Sequence, residues 1–115
     1  MIKVTFTESP QKLSLWLEGH AGYAEHGKDI VCASASILAY TVARYVEYED
    51  NQGTLKAPAE IKLESGDAVV SCEPKEEILK WLWDAYQFAK MGFLILANNY
   101  PQYVEVIEDV VAEKP

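Results

Sequence analysis

The chain has few of the residues that crosslink small proteins or bind metals. Its 115 residues include two cysteines, Cys32 and Cys72, and two histidines. Two cysteines in a reducing compartment predict no structural disulfide. Zinc sites usually begin from closely spaced Cys or His pairs, and neither a CxxC nor an HxxxH spacing occurs here. We therefore expect no metal and no other cofactor.

Basic residues and long apolar runs are also scarce. Ten Lys and Arg stand against 18 Asp and Glu, for a formal net charge of −8. Binding to free nucleic acid or to an anionic membrane requires clustered basic side chains, so the expected partner is a protein or peptide instead. The longest apolar run, residues 91–97, is far shorter than the roughly 18 residues of a membrane span. The strand-like pattern from residue 1 leaves no room for a signal peptide, and we expect a cytoplasmic protein.

The hydrophobic pattern predicts one domain over residues 1–115 with the order β-β-α-β-β-α-β. Apolar and polar residues alternate in five short segments, and two longer segments have helical spacing. The fold class is therefore α+β in two layers, with one sheet of about five strands and two helices on one face. The acidic tail to Pro115 is expected to fray. The predicted strands are residues 2–7, 12–19, 59–65, 67–73 and 102–108, and the predicted helices are residues 29–49 and 75–97.

The second helix is apolar on more sides than one sheet contact requires. The surplus over a single stripe, notably Trp81 or Trp83, indicates a second buried surface. A wide core contact would account for this surplus, and so would a second copy of the chain. We predict a homodimer that uses this helix.

The segment from Gly19 to Ser36 carries the residues with reactive side chains. Asp29 is a good N-cap, and Cys32 follows in the first helical turn, where free amides and the helix dipole favour a thiolate. His20 follows the second strand, and the chain then turns back to begin the helix. The imidazole can therefore lie beside the thiol, which is the minimal pairing of a base with a nucleophile.

The same segment resembles the ribosomal-processing cysteine protease family (Prp, also called YsxB-like). The matching elements are "GHA" at residues 19–21, Gly27, "DIVCA" at residues 29–33 and Ser36, with the ending "NNYPQYVEV" as weaker support. The resemblance implies that His20 is the general base and Cys32 the nucleophile. It implies that Asp29 orients the imidazole or only caps the helix, and that Ser36 supports the site structurally.

We assign no chemical role to four other residues. Gly22 and Gly27 are expected to let the loop of residues 21–28 move to admit a substrate. His26 lies at a position that the family does not fix, and we expect it to be solvated. Cys72 lies in a predicted strand, where packing explains it.

By resemblance, the function is removal of a short N-terminal extension from a large-subunit ribosomal protein, with cleavage after an aromatic residue. A phage capsid or scaffold protein is the other substrate that the family suggests. Two further classes of protein stay open: a catalytically idle binding module for a ribosomal or phage protein, and a thiol enzyme of redox or acyl-transfer type. A redox enzyme usually has a resolving cysteine close by, whereas Cys72 lies 40 positions from Cys32.

Overall fold

A computed structural model describes residues 1–110 of the chain, so the expected fraying of residues 111–115 lies outside the described part. The described residues form five strands and two helices in the predicted order. Each predicted segment is present, with bounds that differ by at most two residues. In chain order they are β1 (Ile2–Glu8), β2 (Leu13–Glu18), α1 (Ile30–Asn51), β3 (Glu60–Glu64), β4 (Asp67–Cys72), α2 (Glu76–Asn99) and β5 (Val104–Val110).

The strands form one mixed sheet with the spatial order β3-β4-β2-β1-β5. Both hairpins are antiparallel, and β4 pairs with β2 so that the two hairpins join into one sheet. β5 returns after α2 to pair in parallel with β1. The predicted α+β fold is confirmed. The last strand starts two residues later than predicted, because Tyr103 and Val104 donate their amides to the carbonyl of Tyr100 in the turn that follows α2.

The hydrophobic core lies between one face of the sheet and the two helices. Alternate residues of the strands are buried, as the period of two requires, and both helices contribute to the same cluster. α1 is long and apolar enough by length and composition to cross a membrane. Its buried side, however, packs into this core at Val31, Ala35, Ala39, Val42, Ala43 and Val46.

One charged pair is buried where β1 meets α2. Lys90 contacts the carboxylate of Glu8, and its Nζ also lies 3.1 Å from Glu108 on β5. Glu8 and Lys90 are almost wholly buried, so each charge depends on its partner for the solvation it has lost. Through Lys90, α2 is linked to both β1 and β5.

The two tryptophans of α2 have different surroundings. Trp83 is 6% exposed and belongs to the core, whereas Trp81 is 62% exposed. Trp81 shares the outer side of α2 with Phe88, Met91 and Ile95, which are also exposed. The surplus of apolar residues noted in the sequence is therefore an uncovered helix face within the described chain.

Candidate active site

Cys32 lies in the first turn of α1 and is half-buried. The helix begins here because Asp29 takes the N-cap position with an extended backbone. The sulfur of Cys32 accepts a hydrogen bond from the backbone amide of Ala21, with an N···Sγ distance of 3.4 Å. This contact joins the helix start to the segment that follows β2, so His20 and Cys32 are held on neighbouring pieces of chain.

The carboxylate of Asp29 binds four backbone amides. Its Oδ1 accepts from Val31 at 3.0 Å and from Cys32 at 2.9 Å, while Oδ2 accepts from Tyr23 at 3.0 Å and from Ala24 at 3.2 Å. Burial raises the pKa of Asp29, but the four N–H groups more than offset it, so the pKa lies below the ordinary value of 3.8. Within residues 1–110 the imidazole of His20 is not a partner of this carboxylate.

These bonds also change what the helix start can bind. The amides of Val31 and Cys32 donate to Asp29 Oδ1, and the amide of Ala33 donates to the Asp29 carbonyl at 3.0 Å. The sequence led us to treat the amides of this turn as free groups that favour a thiolate. These three amides are not free, because the capping residue accepts a hydrogen bond from each of them.

His20 is exposed and lies two residues beyond the end of β2. Its carbonyl accepts from the nitrogen of Met1 at 2.7 Å, and its imidazole lies against Gly66 in the turn between β3 and β4. No hydrogen bond joins His20 to Cys32 within the described residues. The two side chains instead share the lining of a cavity.

Two adjoining cavities surround this pair. One, of about 300 Å³, is bounded by α1 and the turn between β3 and β4. The other, of about 490 Å³, is bounded by the loop that contains Gly22 and Gly27. His20, Cys32, Ser36 and His26 line both. The structure therefore brings the predicted site residues together, and it adds two that the sequence did not connect with them: His26, which is exposed as expected, and Gly66.

The loop before α1 is held at its first half. The ring of Tyr23 makes edge-to-face contacts with Tyr100 and Tyr103, at centroid distances of 5.5 and 5.3 Å. Its amide and that of Ala24 are bound by Asp29, as described above. Residues 25–28, the second half of the loop, are exposed and make only a local turn. Movement of the loop stays a prediction, and we now expect it in residues 25–28.

Cys72 has a different environment from Cys32. It is 2% exposed in β4, and its sulfur lies 3.9 Å from the hydroxyl of Tyr86, which itself donates to the Val70 carbonyl. Burial raises the pKa of Cys72 to about 11. The predicted packing role agrees with this environment. Across residues 1–110 no three His, Cys, Asp or Glu side chains group in a way that could hold a metal ion.

Comparison with known proteins places this chain in a family. The family described as "Cysteine protease Prp" matches residues 1–105. A ribosomal processing cysteine protease Prp from Mycoplasma genitalium is 28% identical over 109 residues, which is 95% of this chain and 97% of that protein.

Solved structures have the same fold. The ribosomal processing protease Prp from S. aureus, crystallised with a covalently linked product peptide, aligns with a TM-score of 0.70 at 19% identity, covering 94% of this chain and 99% of that one. SMU.848 from Streptococcus mutans aligns with a TM-score of 0.67 at 24% identity, covering 96% of this chain and 95% of that one.

A sheet-and-helix fold with a cysteine at a helix start, matched over most of its length by one protease family, defines a cysteine protease. The chain belongs to the Prp family of cysteine proteases.

Because the carboxylate of Asp29 accepts four hydrogen bonds, we predict that Asp29→Asn lowers stability in a pH-dependent way. The asparagine oxygen can still cap α1, but its NH₂ faces the amides of Tyr23 and Ala24, which costs about 1–2 kcal/mol. Because the folded carboxyl has the lower pKa, its contribution is complete above the unfolded value of 3.8 and is lost as the pH falls through the folded value.

Urea unfolding of wild type and Asp29→Asn should thus give a constant difference from pH 7 to about pH 5 and a shrinking one below it. Asp84→Asn, which removes an exposed partner of Lys80, is the control and should change stability by about 0.5 kcal/mol or less. A difference for Asp29→Asn that is independent of pH would contradict the ionic role of this carboxylate.

The two thiols should differ in reactivity. In native protein at pH 6, iodoacetamide should label Cys32 well before Cys72, since Cys72 is buried and its pKa of about 11 leaves almost no thiolate. His20→Ala should slow labelling of Cys32, and His26→Ala should change it little. Peptide mapping by mass spectrometry gives both rates, and unfolding in urea should make them equal. Equal labelling in the folded state would count against the assignment of Cys32.

Proposed function

We propose that this chain is a cysteine endopeptidase in which Cys32 is the nucleophile and His20 the general base. The observation that carries the proposal is the hydrogen bond from the Ala21 amide to the Cys32 sulfur at 3.4 Å. This bond keeps Ala21, the residue after His20, next to the thiol. The side chains of His20 and Cys32 line the same two cavities. We propose that the exposed imidazole, which is free to turn about its side-chain torsions, places a ring nitrogen on the sulfur when substrate binds.

The proposed reaction has two steps. Cys32 passes its proton to His20, and the thiolate attacks the scissile carbonyl. The C–N bond breaks as His20 returns the proton to the leaving amine, which leaves a thioester on Cys32. Water, deprotonated by the same imidazole, then attacks the thioester and releases the new carboxyl end with the thiol restored. The reaction needs no metal or redox partner, because each proton moves between the substrate, water and the two side chains.

The proposed substrate is the N-terminal extension of a large-subunit ribosomal protein. The Mycoplasma genitalium relative is named for ribosomal processing, and the S. aureus Prp was crystallised with a substrate peptide. Ribosomal proteins are mostly basic, and the net charge of −8 favours encounter with a basic chain. A substrate of this kind also implies action in the cytoplasm. A phage capsid or scaffold protein would suit the same chemistry and is the alternative substrate for the assay.

The test is cleavage of the candidate ribosomal precursor, followed by intact-mass spectrometry. Wild type should release a short N-terminal peptide, whereas Cys32→Ala and His20→Ala should release none while remaining folded by circular dichroism. Cys72→Ala removes the other thiol by the same substitution and should retain cleavage. Cleavage by Cys32→Ala would refute the proposal, and binding without cleavage by wild type would favour the idle binding module. Cleavage of only the phage protein would correct the substrate.

We further propose that the chain forms a homodimer through the outer side of α2. Trp81, Phe88, Met91 and Ile95 are 62%, 73%, 58% and 63% exposed and recur at helical spacing. An apolar patch of this kind on a small protein usually marks an interaction surface. A twofold arrangement would let the same face cover itself in a second copy.

Sedimentation equilibrium at micromolar concentration tests this assembly. The expected mass is twice the 12.9 kDa of one chain. Phe88→Glu should shift it to the monomer, because a charge in a buried apolar contact is strongly unfavourable. Tyr48→Glu, at a position 56% exposed on α1, is the matched control and should stay dimeric. A wild-type mass of 12.9 kDa would rule out the dimer.

A further inference from the structure

We propose that Gly66 is a positioning residue for the imidazole of His20, an inference that rests on the proposed protease function. Gly66 lies in the two-residue turn between β3 and β4, far from His20 in the sequence. The imidazole lies where a side chain at Gly66 would project. A Cβ at this position would lie 2.7 Å from Nε2, 3.1 Å from Cε1 and 3.4 Å from Cδ2 of His20.

The backbone of His20 is held by hydrogen bonds on two sides, so a contact at Gly66 can act only on the imidazole ring. The amide of Gly19 donates to the Gly66 carbonyl at 2.9 Å, extending the pairing of β2 with β4 by one residue. On the other side, the nitrogen of Met1 donates to the His20 carbonyl at 2.7 Å. Gly19 itself has φ +90, and a Cβ there would lie 2.6 Å from the Met1 carbonyl oxygen. With its peptide held in this way, His20 can adjust only through its side-chain torsions.

The bare Cα of Gly66 therefore sets where the ring can lie. Real Cβ atoms essentially never come within 3.0 Å of a neighbouring heavy atom, so a side chain at residue 66 would force the ring to turn. This rotation costs little stability, because Nε2 is the far end of a flexible and exposed side chain, so the effect falls on the position of the ring. Cys32 lines the same 300 Å³ cavity as His20 and Gly66, so the position of the ring against Gly66 determines its approach to the sulfur. General-base catalysis requires hydrogen-bond reach between the two, and small misplacements lower the rate steeply.

The chain offers a matched control for backbone strain. Gly66 has φ +76 and Gly53, after the end of α1, has φ +75. A Cβ at Gly53 would meet no atom within 4 Å. Gly66→Ala and Gly53→Ala therefore impose the same left-handed conformation on an alanine, but only the first places a methyl group against His20.

The experiment compares these variants in peptide cleavage and in labelling of Cys32 by iodoacetamide. Gly66→Ala should lower kcat by about tenfold or more with KM nearly unchanged, and it should shift the pH profile of Cys32 labelling. Gly53→Ala should match wild type in both assays. In a His20→Ala background, Gly66→Ala should slow labelling no further, because the residue acts only through the imidazole.

Three outcomes would overturn the inference: equal kcat for Gly66→Ala and Gly53→Ala, an increase in kcat for Gly66→Ala, or a further loss in the His20→Ala background. If His20→Ala itself retains cleavage, the proposed base is refuted, and this result is distinguishable from a failure of Gly66 alone. Should Gly66→Ala fold poorly, Gly66→Asn tolerates the left-handed conformation and carries the same Cβ, so it must give the same loss of kcat.

Discussion

The site depends on one carboxylate that binds four backbone amides. Asp29 joins the start of α1 to the loop that precedes it, because each of its oxygens serves one of the two segments. The loop is thereby held where Ala21 can donate to the Cys32 sulfur. Without that carboxylate, two loop amides and two helix amides would have to find hydrogen-bond partners in water. The amide of Ala21 would then no longer be held beside the thiol. Asp29 is thus an organising residue, whose structural role is the placement of other groups.

The second constraint comes from the sheet. His20 is placed by the end of β2, and the turn between β3 and β4 lies beside it because β4 pairs with β2. Cys32 and His20 therefore belong to different layers, one on a helix and one just beyond a strand end. The core beneath them is formed by buried strand residues and the apolar side of α1. Rigid elements thus support both side chains, while the exposed half of the loop, residues 25–28, makes only local hydrogen bonds and a local salt bridge in the described chain.

Local features of the fold were predictable from the sequence, and contacts between distant segments were not. Periodicity located all seven elements, and the cap at Asp29 followed from residue type and position. The contact of His20 with Gly66 depends on β4 lying next to β2, and nothing local in a "SGD" turn indicates that neighbour. The same holds for Tyr23, whose partners Tyr100 and Tyr103 lie at the end of α2 and beyond. The sequence also could not tell that Trp81, and not Trp83, would face outwards.

Hydrogen–deuterium exchange of individual amides by NMR tests the organising role of Asp29 most directly. The account predicts that the amides of Tyr23 and Ala24, although they belong to an exposed loop, exchange slowly at pH 7 and on the same scale as those of Val31 and Cys32. The amides of His26 and Gly27, a few residues further along the same loop, should exchange rapidly. Exchange of Tyr23 and Ala24 as fast as that of Gly27 would contradict the account, because the loop would then not be held by the carboxylate.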